Sequence, residues 1–187
     1  QRVVKAAEGA ALGTETTMSF EVMHGNYSLM PNDTLQKIMY EKLYSKGGIN
    51  YSPKENKFAK TIYKTFLNPK GQIGDQERVL SYQQTHGYGS TDVGDVSWLV
   101  PTAGARISTW VPGTSAHSWQ AVASGGTTIG LKGTKLAVQV LSETALEIYL
   151  NPSVVSKAKE ELKKRVGKDF DYLPLLGDRK PPLDYRN

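Results

Sequence analysis

The sequence predicts an α/β fold, because two segments show the pattern of a β-strand and the remainder shows mainly that of α-helices. Apolar and polar residues alternate over 18–22 and over 103–111, as in half-buried strands. Elsewhere apolar residues recur at the spacing of one helix face. This periodicity predicts helices over residues 1–12, 33–46, 53–66, 92–99 and 154–166. It also predicts a helix of about 20 residues past His117, which runs through Leu136 to Tyr149.

Several helix starts can be read from capping residues. Ser52 and Glu55 form the pattern of a capping box, in which each side chain bonds the other residue's amide. Asn32 or Asp33 is expected to cap the helix predicted over 33–46, and Ser153 the last helix. These signals fix where helices begin more closely than periodicity does.

Composition limits the chemistry that the chain can perform. Among 187 residues there is no cysteine and there are only three histidines. Disulfide scaffolds, thiolate metal sites and cysteine nucleophiles are therefore excluded, and a metal would need His, Asp or Glu ligands.

Charge and hydropathy argue against two classes of partner. The net charge of +5 is mild, and the lysines alternate with apolar residues at helical spacing, as on solvated helix faces, so nucleic-acid binding is not expected. No apolar run is long enough to cross a bilayer, and the first residues lack the apolar core of a signal peptide. We expect a cytoplasmic location and no membrane partner.

The first candidate functional segment is 86–98, where glycines, small hydroxyls and two aspartates precede a short helix. Ser90 or Thr91 could cap that helix, and free amides at its start would suit a carboxylate. Composition alone favours the simpler interpretation, an ordinary capped helix after a flexible loop.

The second candidate segment is 111–120, in which a predicted strand enters a tight turn and then a helix, with His117 near the junction. Ligands and metals gather at strand ends in α/β proteins. A neutral imidazole is a good zinc ligand, but a catalytic site needs about three protein ligands. Spacing alone therefore favours a polar loop histidine without a metal.

Both segments resemble a known family. The run Gly-Ser-Thr-Asp-Val-Gly-Asp-Val-Ser-Trp at 89–98, followed by Val-Pro-Thr at 100–102, resembles the B-subunit group of the aminobenzoyl-glutamate hydrolases. That group lies within the dinuclear-zinc aminoacylase and carboxypeptidase superfamily. The sequence from Pro112 through His117 to Gln120 resembles the last active-site motif of the superfamily.

The resemblance implies an architecture. Residues 1–31 would be the last helix and strand of an inserted α+β lid domain, a remnant of a lid or dimerisation domain. Residues 32–187 would be the C-terminal half of a zinc-peptidase-like catalytic domain, with helices packed on a mixed sheet. A homo-oligomer is expected.

The resemblance also assigns residues. It makes His117 a metal ligand, and it places on the substrate-binding side the residues Ser90, Thr91, Asp92, Gly113 and Thr114. The other metal ligands and the general-base glutamate of the superfamily have no counterpart in this sequence, so no catalytic residue is assigned. Zinc or another divalent metal would belong to the intact protein, and this chain alone should bind none tightly.

Two hypotheses of function follow. In the first, the chain is part of a metal-dependent amidohydrolase that cleaves the amide bond of small N-acyl or aminobenzoyl amino acids, and it is inactive alone. In the second, it is a non-catalytic dimerising or binding module. In either case we expect exposed apolar surface and self-association, through edge pairing at 18–22 or at 103–111.

Overall fold

A computed structural model of the protein describes residues 1–177, 180 and 183. Within these residues the chain is helical, with seven α-helices, one 3₁₀ turn at Asp75–Glu77 and no β-strand. The α-helices are α1 (Arg2–Gly13), α2 (Asp33–Lys46), α3 (Pro53–Tyr63), α4 (Val93–Leu99), α5 (Trp119–Gly125), α6 (Thr128–Leu150) and α7 (Pro152–Val166).

The prediction of an α/β fold with a mixed sheet is wrong for the described residues. Neither 18–22 nor 103–111 is a β-strand, because a strand needs a second backbone to form a ladder of hydrogen bonds and neither segment has one. Over 103–111, Ala103, Ile107 and Val111 contact the helical core, at a spacing of four residues. The apolar residues of this segment therefore pack on helices and not on a neighbouring strand.

The core lies where α2, α3 and α6 meet, with the extended 103–111 segment along one side. Helix α2 packs against both α6 and α7, and α6 also contacts α5. The fully buried side chains include Val111, Ile129 and Val140. The core cluster as a whole comprises Met39, Ile49, Tyr51, Ala59, Ile62, Val111, Ile129, Leu136 and Val140.

Capping residues predicted two of three helix starts. The buried Asn32 side chain accepts a hydrogen bond from the amide of Leu35 and caps α2. The capping box of Ser52 and Glu55 is complete at the start of α3. The cap predicted at Ser153 is wrong: α7 begins after Asn151, with proline at its first position, where the missing amide hydrogen leaves no bond unmade.

The helix of about 20 residues predicted past His117 is confirmed as α6, which spans 23 residues and is preceded by the separate short helix α5. Its start is fixed by Thr127, whose hydroxyl accepts a hydrogen bond from the amide of Ile129. None of the helices in the described part of the chain is both long and apolar enough to cross a membrane.

Helix α1 confirms the helix predicted over 1–12 but contains no buried residue. Its valine at position 3 and leucine at position 12 are each 83% exposed. An isolated helix of this length is marginal in water. The proposed division into 1–31 and 32–187 stays a prediction.

Candidate functional site

Helix α4, which contains the end of the candidate segment 86–98, is held in place by a carboxylate that joins three parts of the chain. Asp95 accepts a hydrogen bond from the amide of Tyr27, at 3.2 Å, and another from the hydroxyl of Tyr172, at 3.0 Å. Burial and the bond to Asp95 raise the pKa of Tyr172, so the phenol stays a donor at neutral pH. Asp95 therefore links α4 to the segment before α2 and to the C-terminal tail.

Aromatic rings surround this carboxylate. Tyr27 contacts three other rings, with centroids 5.3 Å from Trp98, 5.9 Å from Phe170 and 5.6 Å from Tyr172. Trp98 and Phe170 are closer still, at 4.6 Å. Phe170 and Tyr172 thus pack the C-terminal tail against Tyr27 and Trp98.

Small residues let α4 approach the backbone before α2. A Cβ atom added at Gly94 would overlap the carbonyl oxygen of Tyr27. The buried Ser97 hydroxyl accepts a hydrogen bond from the amide of Met30, at 2.8 Å, and donates one to Gly94, at 2.5 Å. Gly94 and Ser97 of the motif at 89–98 thus have packing roles that account for their place in the sequence.

The three residues predicted to bind substrate at this end, Ser90, Thr91 and Asp92, are all exposed. The Thr91 hydroxyl accepts a hydrogen bond from the amide of Val93, at 3.3 Å, but Thr91 is not the N-cap residue of α4, so the predicted cap at Ser90 or Thr91 is wrong. Asp92 precedes α4 without a side-chain cap. Asp92 and Ser90 are therefore available to solvent, and their predicted role in binding substrate stays a prediction.

The second segment forms a turn whose backbone conformation is unusual. Gly113 has φ +89° and His117 has φ +58°, a left-handed conformation uncommon for a residue with a side chain. Thr114 donates its hydroxyl to the carbonyl of Val111, at 2.6 Å, and Ser118 caps α5. The imidazole of His117 is exposed at the tip of this turn, immediately before α5.

The turn is supported from one side by the loop that follows α3. A Cβ atom at Gly113 would contact Pro69 at 2.8 Å and the carbonyl oxygen of Gly71 at 2.9 Å. The Gln120 amide reaches the hydroxyl of Thr65 at 3.3 Å. No hydrogen bond or ring contact in the described residues joins the 111–118 turn to residues 90–92, so the structure does not bring the two predicted halves of the site into contact.

The residues that the structure describes do not by themselves fit a catalytic zinc ion. A catalytic zinc site uses about three protein ligands. In the described part of the chain, no three histidine or carboxylate side chains come together in a group able to hold a metal. His117 is a single exposed donor, and we derive no metal-dependent step from the residues present.

Sequence reasoning missed the links around Asp95. The partners Tyr27 and Tyr172 lie 68 and 77 residues away from it, so no local pattern connects them. The only feature of the sequence that indicated such contacts was the number of aromatic residues in the C-terminal tail.

A second polar cluster joins α2 to α7. Glu161 accepts hydrogen bonds from the amides of Asp33 and Thr34, at 2.7 and 2.9 Å, and from the Thr34 hydroxyl. Although burial alone would raise its pKa, these bonds and that from Arg165 lower the pKa of Glu161 to about 2. The first turn of α2 supplies the donors that this carboxylate needs, so Glu161 has a structural role.

Comparison with known proteins relates the chain to part of a hydrolase. It is 33% identical over 185 residues to the B subunit of p-aminobenzoyl-glutamate hydrolase from Escherichia coli (strain K12). The match covers 86% of this chain and 38% of that protein, so the chain spans less than two fifths of its relative's length. No protein-family model and no solved structure matches the chain. The expected relation to the aminobenzoyl-glutamate hydrolase group is confirmed.

Proposed function

We propose that the chain is part of a metal-dependent amidohydrolase that cleaves the amide bond of aminobenzoyl or other N-acyl amino acids. The observation that carries this proposal is the 33% identity, over 86% of the chain, to a protein named as a p-aminobenzoyl-glutamate hydrolase component. The two motifs that suggested the relation, at 89–98 and 112–120, both reach exposed parts of the structure. The superfamily and the C-terminal position within the whole protein are part of the proposal.

We propose further that the chain does not catalyse this reaction alone. Hydrolysis of an amide needs an activated water, a group that accepts and returns a proton, and donors that stabilise the oxyanion. The described residues offer no grouped set of ligands for a metal that would activate water. Most of the relative's length has no counterpart here, and the missing groups would come from such a region.

In this proposal the chain contributes two exposed elements to the complete site. One is the turn with His117 at its tip, which would supply one metal ligand. The other is the start of α4, where Ser90, Thr91 and Asp92 would contact the substrate. Asp95 and the aromatic rings around it hold α4 in place and do not meet the substrate.

The experiment is complementation. The 187-residue chain is combined with the part of the Escherichia coli relative that does not align with it, and zinc affinity and hydrolysis of p-aminobenzoyl-glutamate are measured. We expect His117→Ala to weaken zinc binding at least about tenfold and to abolish hydrolysis. His24→Ala is the matched control, because His24 is also exposed but belongs to neither motif. Equal zinc affinity in the parent and in His117→Ala would disprove the ligand assignment.

The second candidate function is a non-catalytic dimerising or binding module. The lack of a grouped set of metal ligands in the described residues favours it. Complementation separates the two candidates, since a binding module would yield neither zinc affinity nor hydrolysis in the combined protein.

A further inference from the structure

Helix α6 is apolar on two opposite sides, although only one of them is covered. Its buried side, which includes Ile129, Leu136 and Val140, faces the core. A second set of apolar residues recurs at intervals of three, four or seven residues, so it lies along one side of the helix. This outer face comprises Leu131, Val138, Leu141, Ala145 and Tyr149, all of which are exposed.

The charged residues of α6 avoid the outer face. Three of the four form ion pairs with side chains of α2 and α3, namely Lys132, Glu143 and Glu147. The fourth, Lys135, borders the outer face, where a lysine side chain can extend past a packed neighbour to solvent. A helix that is apolar around most of its circumference is normally buried. The outer face therefore has the composition of a packed surface.

The chain as a whole exposes more surface than a self-contained protein of its mass. Its accessible surface is 14336 Å² for 20.5 kDa. A monomeric protein of that mass exposes about 8,800 Å², so the excess is about 5,500 Å². Apolar surface beyond α6 is part of it, since Phe20 and Val22 before α2 and Val122 on α5 are also exposed.

The size of this excess distinguishes a second copy from a larger partner. A permanent interface buries about 2,000–5,000 Å² in total, so each partner contributes about 1,000–2,500 Å². A two-fold interface uses the same patch on both copies, and one such patch would leave at least about 3,000 Å² of the excess uncovered. The surface therefore calls for a polypeptide that contacts several patches at once.

Comparison with the relative identifies such a polypeptide. The chain corresponds to 38% of the p-aminobenzoyl-glutamate hydrolase B subunit from Escherichia coli (strain K12). The part of that protein without a counterpart in the chain (the remainder) is longer than the part that aligns. A polypeptide of that length can cover the outer face of α6 and other patches together, which a second copy of the chain does not.

We propose that the outer face of α6 packs against an apolar surface of the remainder within one protein. This inference rests on the proposed function, in which the chain is part of a longer hydrolase, and adds where the rest of that hydrolase binds. From Leu131 to Tyr149 the outer face extends about 27 Å along the helix. The surface that meets it is apolar, because a charged group there would lose its water without gaining an opposite charge.

Single cysteines test this placement, since the chain has no cysteine of its own. Val138→Cys puts a thiol on the outer face. Gln139→Cys is the matched control, because it puts a thiol at the next residue, which is also exposed but lies on the charged side of the helix. Each variant is prepared as the isolated chain and as a joined protein, in which the chain replaces the aligned part of the Escherichia coli relative in one polypeptide.

The rate of alkylation by a maleimide is followed by mass spectrometry of the peptide that carries the cysteine. We expect the thiol at 138 to react at least about tenfold more slowly in the joined protein than in the isolated chain, and the thiol at 139 at a similar rate in both. In the isolated chain the rate at 138 should be the same at about 1 and 100 μM, because no second copy covers it. Circular dichroism establishes that the joined protein keeps the helices.

Three results would overturn the proposal. A rate at 138 that falls as the concentration of the isolated chain rises would assign the outer face to a second copy. An unchanged rate at 138 in the joined protein would leave this face in solvent. Equal protection at 138 and 139 would show that the cover is not specific to the outer face.

Hydrolysis of p-aminobenzoyl-glutamate by the same joined protein separates this inference from the proposed function. Hydrolysis with an unprotected thiol at 138 would overturn the placement and leave the function standing. Protection at 138 without hydrolysis would support the placement and count against the function.

Discussion

The carboxylate of Asp95 accepts a hydrogen bond from the hydroxyl of Tyr172, at 3.0 Å, although 77 residues separate the two in the chain. The same carboxylate accepts the amide of Tyr27. A single side chain on α4 therefore fastens the C-terminal tail and the segment before α2 to the motif at 89–98. The tail is bound further by its backbone, since the carbonyl of Leu175 accepts from the amide of Gly25 at 2.7 Å.

Tyr172→Phe should loosen this attachment while keeping the ring contacts. We expect the free energy of unfolding to fall, because the Asp95 carboxylate loses one of its two donors. Urea denaturation measures the change, and limited proteolysis should show faster cleavage in 86–92. Tyr149→Phe is the control, because Tyr149 is 84% exposed. Equal stability of Tyr172→Phe and the parent would show that the tail is held by its rings and backbone alone.

Glu55 makes the stability of the chain depend on acid pH. The hydrogen bond from Lys132, at 2.5 Å, with bonds from Thr128 and Ser52, lowers the pKa of Glu55 to about 2 against the effect of burial. A carboxyl whose pKa is lower in the folded state contributes stability fully above its unfolded pKa and loses it as pH falls. The contribution should therefore disappear between about pH 5 and pH 2.

Glu55→Gln tests this pH dependence. At pH 7 the substitution should lower the free energy of unfolding by about 2 kcal/mol, and near pH 2 the difference should vanish. Glu143→Gln is the control, because Glu143 pairs with Lys46 at a more exposed position, where an ion pair contributes less than about 1 kcal/mol. A constant difference between Glu55→Gln and the parent from pH 7 to pH 2 would contradict the assignment.

Local signals in the sequence predicted most of the helices correctly. Asn32 and Ser52 cap α2 and α3 as expected, because a cap depends on residues within one helical turn. The predicted strands failed for a non-local reason. Whether an alternating segment becomes a strand depends on a partner backbone, and at 103–111 the described chain supplies helices in its place.

In the candidate site, too, local features could be predicted from the sequence and long-range contacts could not. The turn with Thr114 and His117 is local, and the sequence located it together with the helix that follows. The links from Asp95 to Tyr27 and Tyr172 are long-range, and nothing within about 60 residues of Asp95 indicates either partner. Side chains that come from distant parts of a fold cannot be found by spacing.

Gly133 controls the position of the 103–111 segment on α6. A methyl group at this position would overlap the carbonyl oxygen of Ser108 and contact the side chain of Thr109 at 2.8 Å. Gly133→Ala should therefore lower the free energy of unfolding by about 1–3 kcal/mol, although alanine favours helices. Thermal denaturation measures this loss. Gly9→Ala is the control, because nothing lies within 4 Å of the added carbon and helix propensity alone should act. Stabilisation by Gly133→Ala would mean that the segment can move away from α6 freely.

The backbone of His117 allows its structural and chemical roles to be separated. Because its φ of +58° suits glycine, His117→Gly should keep the turn and change the free energy of unfolding by less than about 1 kcal/mol. The same variant removes the imidazole, so in the complemented protein it should lose zinc as fully as His117→Ala does. Urea denaturation of the chain alone and calorimetry of the complemented protein measure the two effects independently. If His117→Gly destabilised the chain by more than about 2 kcal/mol, the imidazole would have a structural contact that the exposed turn does not show, and its loss of zinc could not be assigned to ligation.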